Sequence, residues 1–83
     1  RDRDEFLVGK FNWIDGKPSD KQNLKVKIRH GANNYDCNID WMNESVLSVK
    51  LNKSDNGIAP GQFAVFYDYD VCLGGGVILE NFD

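Results

Sequence analysis

Apolar and polar positions alternate along most of this chain. Leu24, Val26 and Ile28 fall on one face of residues 24–30, and Lys25, Lys27 and Arg29 on the other. That is the period-2 signature of a half-buried strand. Tyr35, Cys37 and Ile39 alternate with Asp36, Asn38 and Asp40, and Leu47, Val49 and Leu51 share a face within residues 45–51. Residues 62–69 are apolar on both faces, with Phe63, Val65, Tyr67 and Tyr69 opposite Ala64 and Phe66. Such a run predicts a strand covered on both sides. Residues 71–79 predict a last strand, interrupted by Gly74-Gly75-Gly76, and residues 6–13 a first one. Asp15-Gly16-Lys17-Pro18, Asn33-Asn34, Asp55-Asn56-Gly57 and Pro60-Gly61 supply turns. No segment sustains a 3.6-residue apolar period. Five or six short strands at this spacing predict a small all-β barrel or sandwich, and barrel closure would remove the exposed edges.

Length and composition fit one such unit. Residues 1–83 make a single domain with an ordinary 41% hydrophobic share and 28% charged share. The opening Arg1-Asp2-Arg3-Asp4-Glu5 has neither a Met nor an apolar signal region. It reads as a flexible linker, residues 1–5, entering from a longer polypeptide. The longest apolar run, Phe63–Tyr67, is far short of a membrane span, so no membrane partner is expected.

Charge narrows the picture further. The net charge is −3, whereas a free-standing nucleic-acid binder usually carries a basic surplus. The distribution is lopsided, however. Residues 1–30 hold eight basic against five acidic side chains, and residues 31–83 two against eight. A basic edge on an acidic domain is compatible with that split.

Chemistry-bearing motifs are sparse. Gly74-Gly75-Gly76 lacks the lysine and the helix of a phosphate-binding loop, and Val77-Ile78-Leu79 resumes a strand. Glycines placed so mark a bulge, a barrel corner or close backbone approach. Cys37 and Cys72 with the lone His30 do not make a four-ligand metal site, and no local signature joins them as a nucleophile and base. No catalytic, cofactor-binding or metal-ligating residue is expected in this chain. The stripe Lys25, Lys27 and Arg29, beside His30, is a better candidate, because three cations on one strand face can hold phosphates. It is equally the polar side of an amphipathic strand. Gln62 follows the turn former Pro60-Gly61 at a strand mouth, where it can bind a ligand or cap the turn.

Four motifs carry a family resemblance. Asn12-Trp13-Ile14, Lys27-Ile28-Arg29-His30, Ala59-Pro60-Gly61-Gln62-Phe63-Ala64-Val65-Phe66-Tyr67-Asp68 and Cys72-Leu73-Gly74-Gly75-Gly76-Val77-Ile78 occur in that order. The series resembles the C-terminal domain of the tRNA-specific 2-thiouridylases. The resemblance implies a small six-stranded antiparallel β-barrel that helps hold tRNA. In those enzymes the wobble uridine is adenylated with ATP and then receives sulfur from a persulfide donor protein. The ATP site and the catalytic cysteines lie in the N-terminal domain, and neither Cys37 nor Cys72 matches them. By position, the resemblance puts tRNA contacts on Arg29, His30 and Gln62, with Lys25 and Lys27 adding diffuse attraction. This chain departs from the family's R-Y-R-Q, since Arg29 is followed by His30-Gly31-Ala32.

The implied partners are tRNA, the N-terminal and central domains of a parent enzyme and, through that parent, the sulfur donor. The implied location is the cytoplasm, or an organelle in a eukaryote. Three rivals stand beside this reading. One is a purely structural barrel bracing other domains, and another is a translation-factor-like barrel that binds protein. The third is an intrinsic Cys/His enzyme, which would require Cys37 or Cys72 within hydrogen-bonding reach of His30.

Overall fold

The computed structural model describes residues 3–19, 23–28 and 34–80. They form six strands: β1 (Arg3–Trp13), β2 (Asn23–Ile28), β3 (Asn34–Asn43), β4 (Val46–Asp55), β5 (Phe63–Asp68) and β6 (Val71–Ile78). The strands close into a barrel in the order β1-β4-β3-β2-β5-β6, and every neighbouring pair is antiparallel. The six-stranded antiparallel barrel expected from the sequence is the fold observed.

Alternation decides what fills the barrel. Leu24, Val26 and Ile28 of β2 point inward, as do Tyr35, Cys37 and Ile39 of β3 and Leu47, Val49 and Leu51 of β4. Phe6 and Val8 of β1, Ala64 and Phe66 of β5 and Ile78 of β6 complete the core, and Ile58 plugs it from the β4–β5 loop. A one-residue slip in any of these strands would turn its apolar set to water, so burial fixes the register.

β5 departs from expectation. Its buried side is Ala64 and Phe66, while Phe63, Val65 and Tyr67 lie half-buried on the outer surface. The reason is closure: a single-layer barrel has one inside, and nothing need cover the second face. β1 also reaches further than expected. It starts at Arg3, which pairs with Asp55, and Glu5 pairs with Lys50, so part of the segment read as a linker is strand. Lys10 sits at φ 52 where the β1–β6 register shifts between Gly9 and Asn12, the mark of a bulge that bends a long strand around the barrel.

The glycine run follows from backbone crowding. Gly74 pairs with both Trp13 and Phe66, and it has φ 111. A Cβ on Gly75 would lie 2.0 Å from the Ala64 carbonyl oxygen, and one on Gly76 would lie 2.5 Å from that of Gly9. β6 is thus clamped between β5 and β1 too closely for side chains. These glycines face neighbouring strands rather than a phosphate cradle, so this stretch does not fit a nucleotide.

Aromatic rings close one end of the barrel. Phe11 stacks on Trp13 with centroids 4.9 Å apart, Trp41 meets Phe11 edge-on at 5.2 Å, and Trp13 lies 5.9 Å from Phe66. The β1–β2 loop is strapped over them. The Trp41 indole donates to the Pro18 carbonyl at 2.9 Å, and the Lys17 ammonium sits 4.6 Å from the Trp41 ring centre.

Candidate nucleic-acid interface

The outer face of β2 carries Lys25 and Lys27, both exposed. Their positions follow from the inward turn of Leu24, Val26 and Ile28. Register determines what stands beside them. Lys25 lies between Asp36 of β3 and Tyr67 of β5, and Lys27 between Asn34 and Val65. Lys25 donates to the Asp36 carboxylate at 2.7 Å, with both side chains about half exposed. An exposed pair of this kind contributes little to stability, and it lowers the free positive charge of the stripe. Among the described residues, Lys27 makes no ion pair.

Arg29 and His30 lie outside the described residues. The chain leaves β2 at Ile28, beside Ala64, which is two residues from Gln62.

Gln62 closes the β4–β5 loop. Its Oε1 accepts from the Ala59 amide at 2.8 Å, and its Nε2 donates to the Gly57 carbonyl at 2.8 Å. Its backbone joins the same turn, donating to Ala59 and accepting from Ile78 at 2.8 Å. A carboxamide has two lone pairs and two N–H donors, so these bonds use half of its capacity.

The far end of this loop is anchored by Asp55. Its carboxylate accepts from the Tyr35 hydroxyl and from the Gly57 amide. Those two bonds hold the Asp55 carboxyl below the usual aspartate range, the tyrosine bond acting most strongly.

The cysteines do not meet in a reactive arrangement. Cys37 is buried in the core and Cys72 is exposed on β6. Burial, reinforced by the neighbouring Asp36 charge, pushes the Cys37 thiol up to about 12, the behaviour of a packing residue rather than a nucleophile. No three potential ligating side chains cluster among the described residues. No helix there is long and apolar enough to cross a membrane.

Sequence reasoning missed two features of this face. Asp36 was legible only as a polar alternation, and its pairing with Lys25 needs the β2–β3 register. Tyr69, expected within the strand at residues 62–69, stands instead in the turn after β5. The β5–β6 hairpin brings Tyr69 and Asp70 next to Lys25, Lys27, Asn34 and Tyr67 around a shallow concavity of about 320 Å³.

A closed antiparallel barrel with two lysines on the outer face of one strand defines a small all-β domain. The chain belongs to the family described as the Aminomethyltransferase beta-barrel domain, which matches residues 3–78. It is 36% identical over 74 residues to the tRNA-specific 2-thiouridylase MnmA of Shewanella halifaxensis, covering 88% of this chain and 20% of that protein. It is likewise 36% identical over 78 residues to the protein of that name from Francisella philomiragia, covering 93% of this chain and 22% of that protein. The chain therefore spans about one fifth of the length of the curated relatives it matches, and corresponds to their C-terminal domain.

Proposed function

We propose that this barrel is the tRNA-docking domain of a tRNA-specific 2-thiouridylase, a cytoplasmic enzyme that thiolates the wobble uridine at C2. The match of nearly the whole chain to the C-terminal domain of proteins bearing that name carries the reading. In the whole enzyme, ATP would activate the uridine and a persulfide protein would supply sulfur, both on domains outside this barrel.

The barrel's part is positioning. A base-modifying enzyme must hold a large RNA still while one base enters a pocket, and a misplacement of about 1 Å can lower the rate ~100-fold. Arg29 pairs with backbone phosphate, and His30 stacks or donates a hydrogen bond. Lys25 and Lys27 add electrostatic attraction, reduced at Lys25 by Asp36. Gln62 holds the β4–β5 loop and offers RNA the half of its carboxamide that the loop does not use. With a net charge of −3, the barrel alone binds weakly, and the other domains supply most of the affinity.

Chemical-shift mapping of the 83-residue chain with an anticodon stem-loop RNA tests this. Shifts are expected around β2 and Gln62 at low salt, fading as salt rises. Arg29→Ala should weaken binding and reduce the salt slope by about 1. Binding that is unchanged in Arg29→Ala at every salt concentration would refute the assigned role. An affinity as tight as a free-standing RNA binder's at physiological salt would refute the division of labour.

A further inference from the structure

We propose that the RNA-docking face runs the length of β5 to the β5–β6 hairpin, where Tyr69 is a stacking platform for one unpaired RNA base. This rests on the docking reading above and extends it to a residue outside the family motifs.

Tyr69 occupies the first position of a two-residue turn between the paired residues Asp68 and Val71. Its φ is 57, in the left-handed region that glycine enters freely and that a Cβ disfavours. Its ring adds nothing to the core, since Tyr69 is 87% exposed. Neither backbone preference nor packing therefore accounts for tyrosine here. Strained backbone positions cluster at ligand-binding sites, and an exposed ring supplies a face on which a ligand can stack.

The surroundings say which ligand. Tyr69 shares its concavity with Tyr67, Lys25, Lys27, Asn34 and Asp70. Aromatic rings beside cations are the composition of single-stranded nucleic-acid grooves, where bases stack and the backbone follows positive charge. The acidic residues set the orientation. Asp36 is paired with Lys25, while Asp68 and Asp70 are exposed at the hairpin and repel phosphate. The phosphate must then lie towards Lys27, with the base over Tyr69. In that pose a ribose 2′-hydroxyl can donate to the Asp70 carboxylate. From Gln62 to Tyr69 the track is roughly 23 Å long at strand rise, and Lys27 lies midway along it.

Two substitutions in the 83-residue chain test the assignment, with the anticodon stem-loop RNA as the probe. Tyr69→Gly removes the ring and relieves the backbone. Its melting temperature should equal or exceed that of the parent chain, while RNA affinity falls about fivefold or more. Tyr69→Phe keeps the ring and should hold affinity within about twofold. In the parent chain, the amides of residues 68–71 should shift on titration. A fall in melting temperature in Tyr69→Gly would show that the ring holds the hairpin, and would overturn the inference. So would unchanged affinity in that variant, or shifts along β2 that leave residues 68–71 untouched, although docking itself would stand. No shift anywhere up to millimolar RNA would remove the docking reading and this inference together.

Discussion

Gly75→Ala is the sharpest test of how this barrel is built. The added Cβ would lie 2.0 Å from the Ala64 carbonyl oxygen and 3.0 Å from both the Ala64 carbonyl carbon and the Val65 Cα. All three are backbone atoms of β5, so no rotamer change relieves the overlap. β5 and β6 would have to part by more than about 1 Å from the usual ~4.8 Å strand spacing. Overpacking of this kind costs about 1–3 kcal/mol, and two weakened ladder hydrogen bonds add about 0.5–1.5 kcal/mol each. The expected loss is therefore about 2–6 kcal/mol. A chain of 83 residues has roughly 4–12 kcal/mol in total, at 0.05–0.15 kcal/mol per residue. Thermal unfolding followed by far-UV circular dichroism should show a fall of about 8 °C or more, or no cooperative transition at all. Gly16→Ala is the control, because Gly16 has φ 79 but nothing within 4 Å of an added Cβ. It should cost only about 1–2 kcal/mol from backbone conformation. Equal melting temperatures for the two variants would refute the close-approach argument and reopen a ligand-binding role for the glycine run.

Two further outcomes follow from the titrating groups. The folded state holds the Asp55 carboxyl below its unfolded value of ~3.9, so its contribution to stability is present above that pH and is lost as pH falls through the folded value. Urea midpoints should therefore drop on acidification below about pH 4, and Asp55→Asn should flatten that limb; an unaltered acid profile in the variant would refute the role. At pH 8 a thiol reagent should modify Cys72 rapidly and Cys37 only in denaturant, because burial lifts the Cys37 thiol to about 12; two fast equivalents would contradict the packing.

The alternation in β2, β3 and β4 was legible because one side chain in two must leave water, and the barrel interior enforces that rule along each strand. β5 was harder to read. Apolar residues on both faces suggest two covers, yet the larger set, Phe63, Val65 and Tyr67, stands on the outside. Sequence pattern counts apolar faces but does not say that a sheet closes on itself in one layer. The strand nature of the glycine run was readable from Val77-Ile78-Leu79, whereas its cause, a carbonyl 2.0 Å from the missing Cβ, needs the partner strand. Candidate site residues divide similarly. The outward stripe of Lys25 and Lys27 follows from period 2. The Asp36 partner of Lys25 and the loop bonds of Gln62 depend on pairings 11 and 3–5 residues apart that only the fold brings together. Tyr69 was expected on the strand face of Phe63, Val65 and Tyr67, but the chain turns after Asp68 at a backbone angle that no residue pattern displays.

Closure of the hydrogen-bonded ladder limits how this domain can be recognised. With β1 joined to both β4 and β6, every strand among the described residues has a neighbour on each side, so the sheet has no open edge strand for another chain to pair along. A visiting molecule meets only side chains standing off the wall, together with the loops at either rim. Outward residues can therefore be exchanged one at a time while the interior stays untouched, so variants confined to them should melt like their parent.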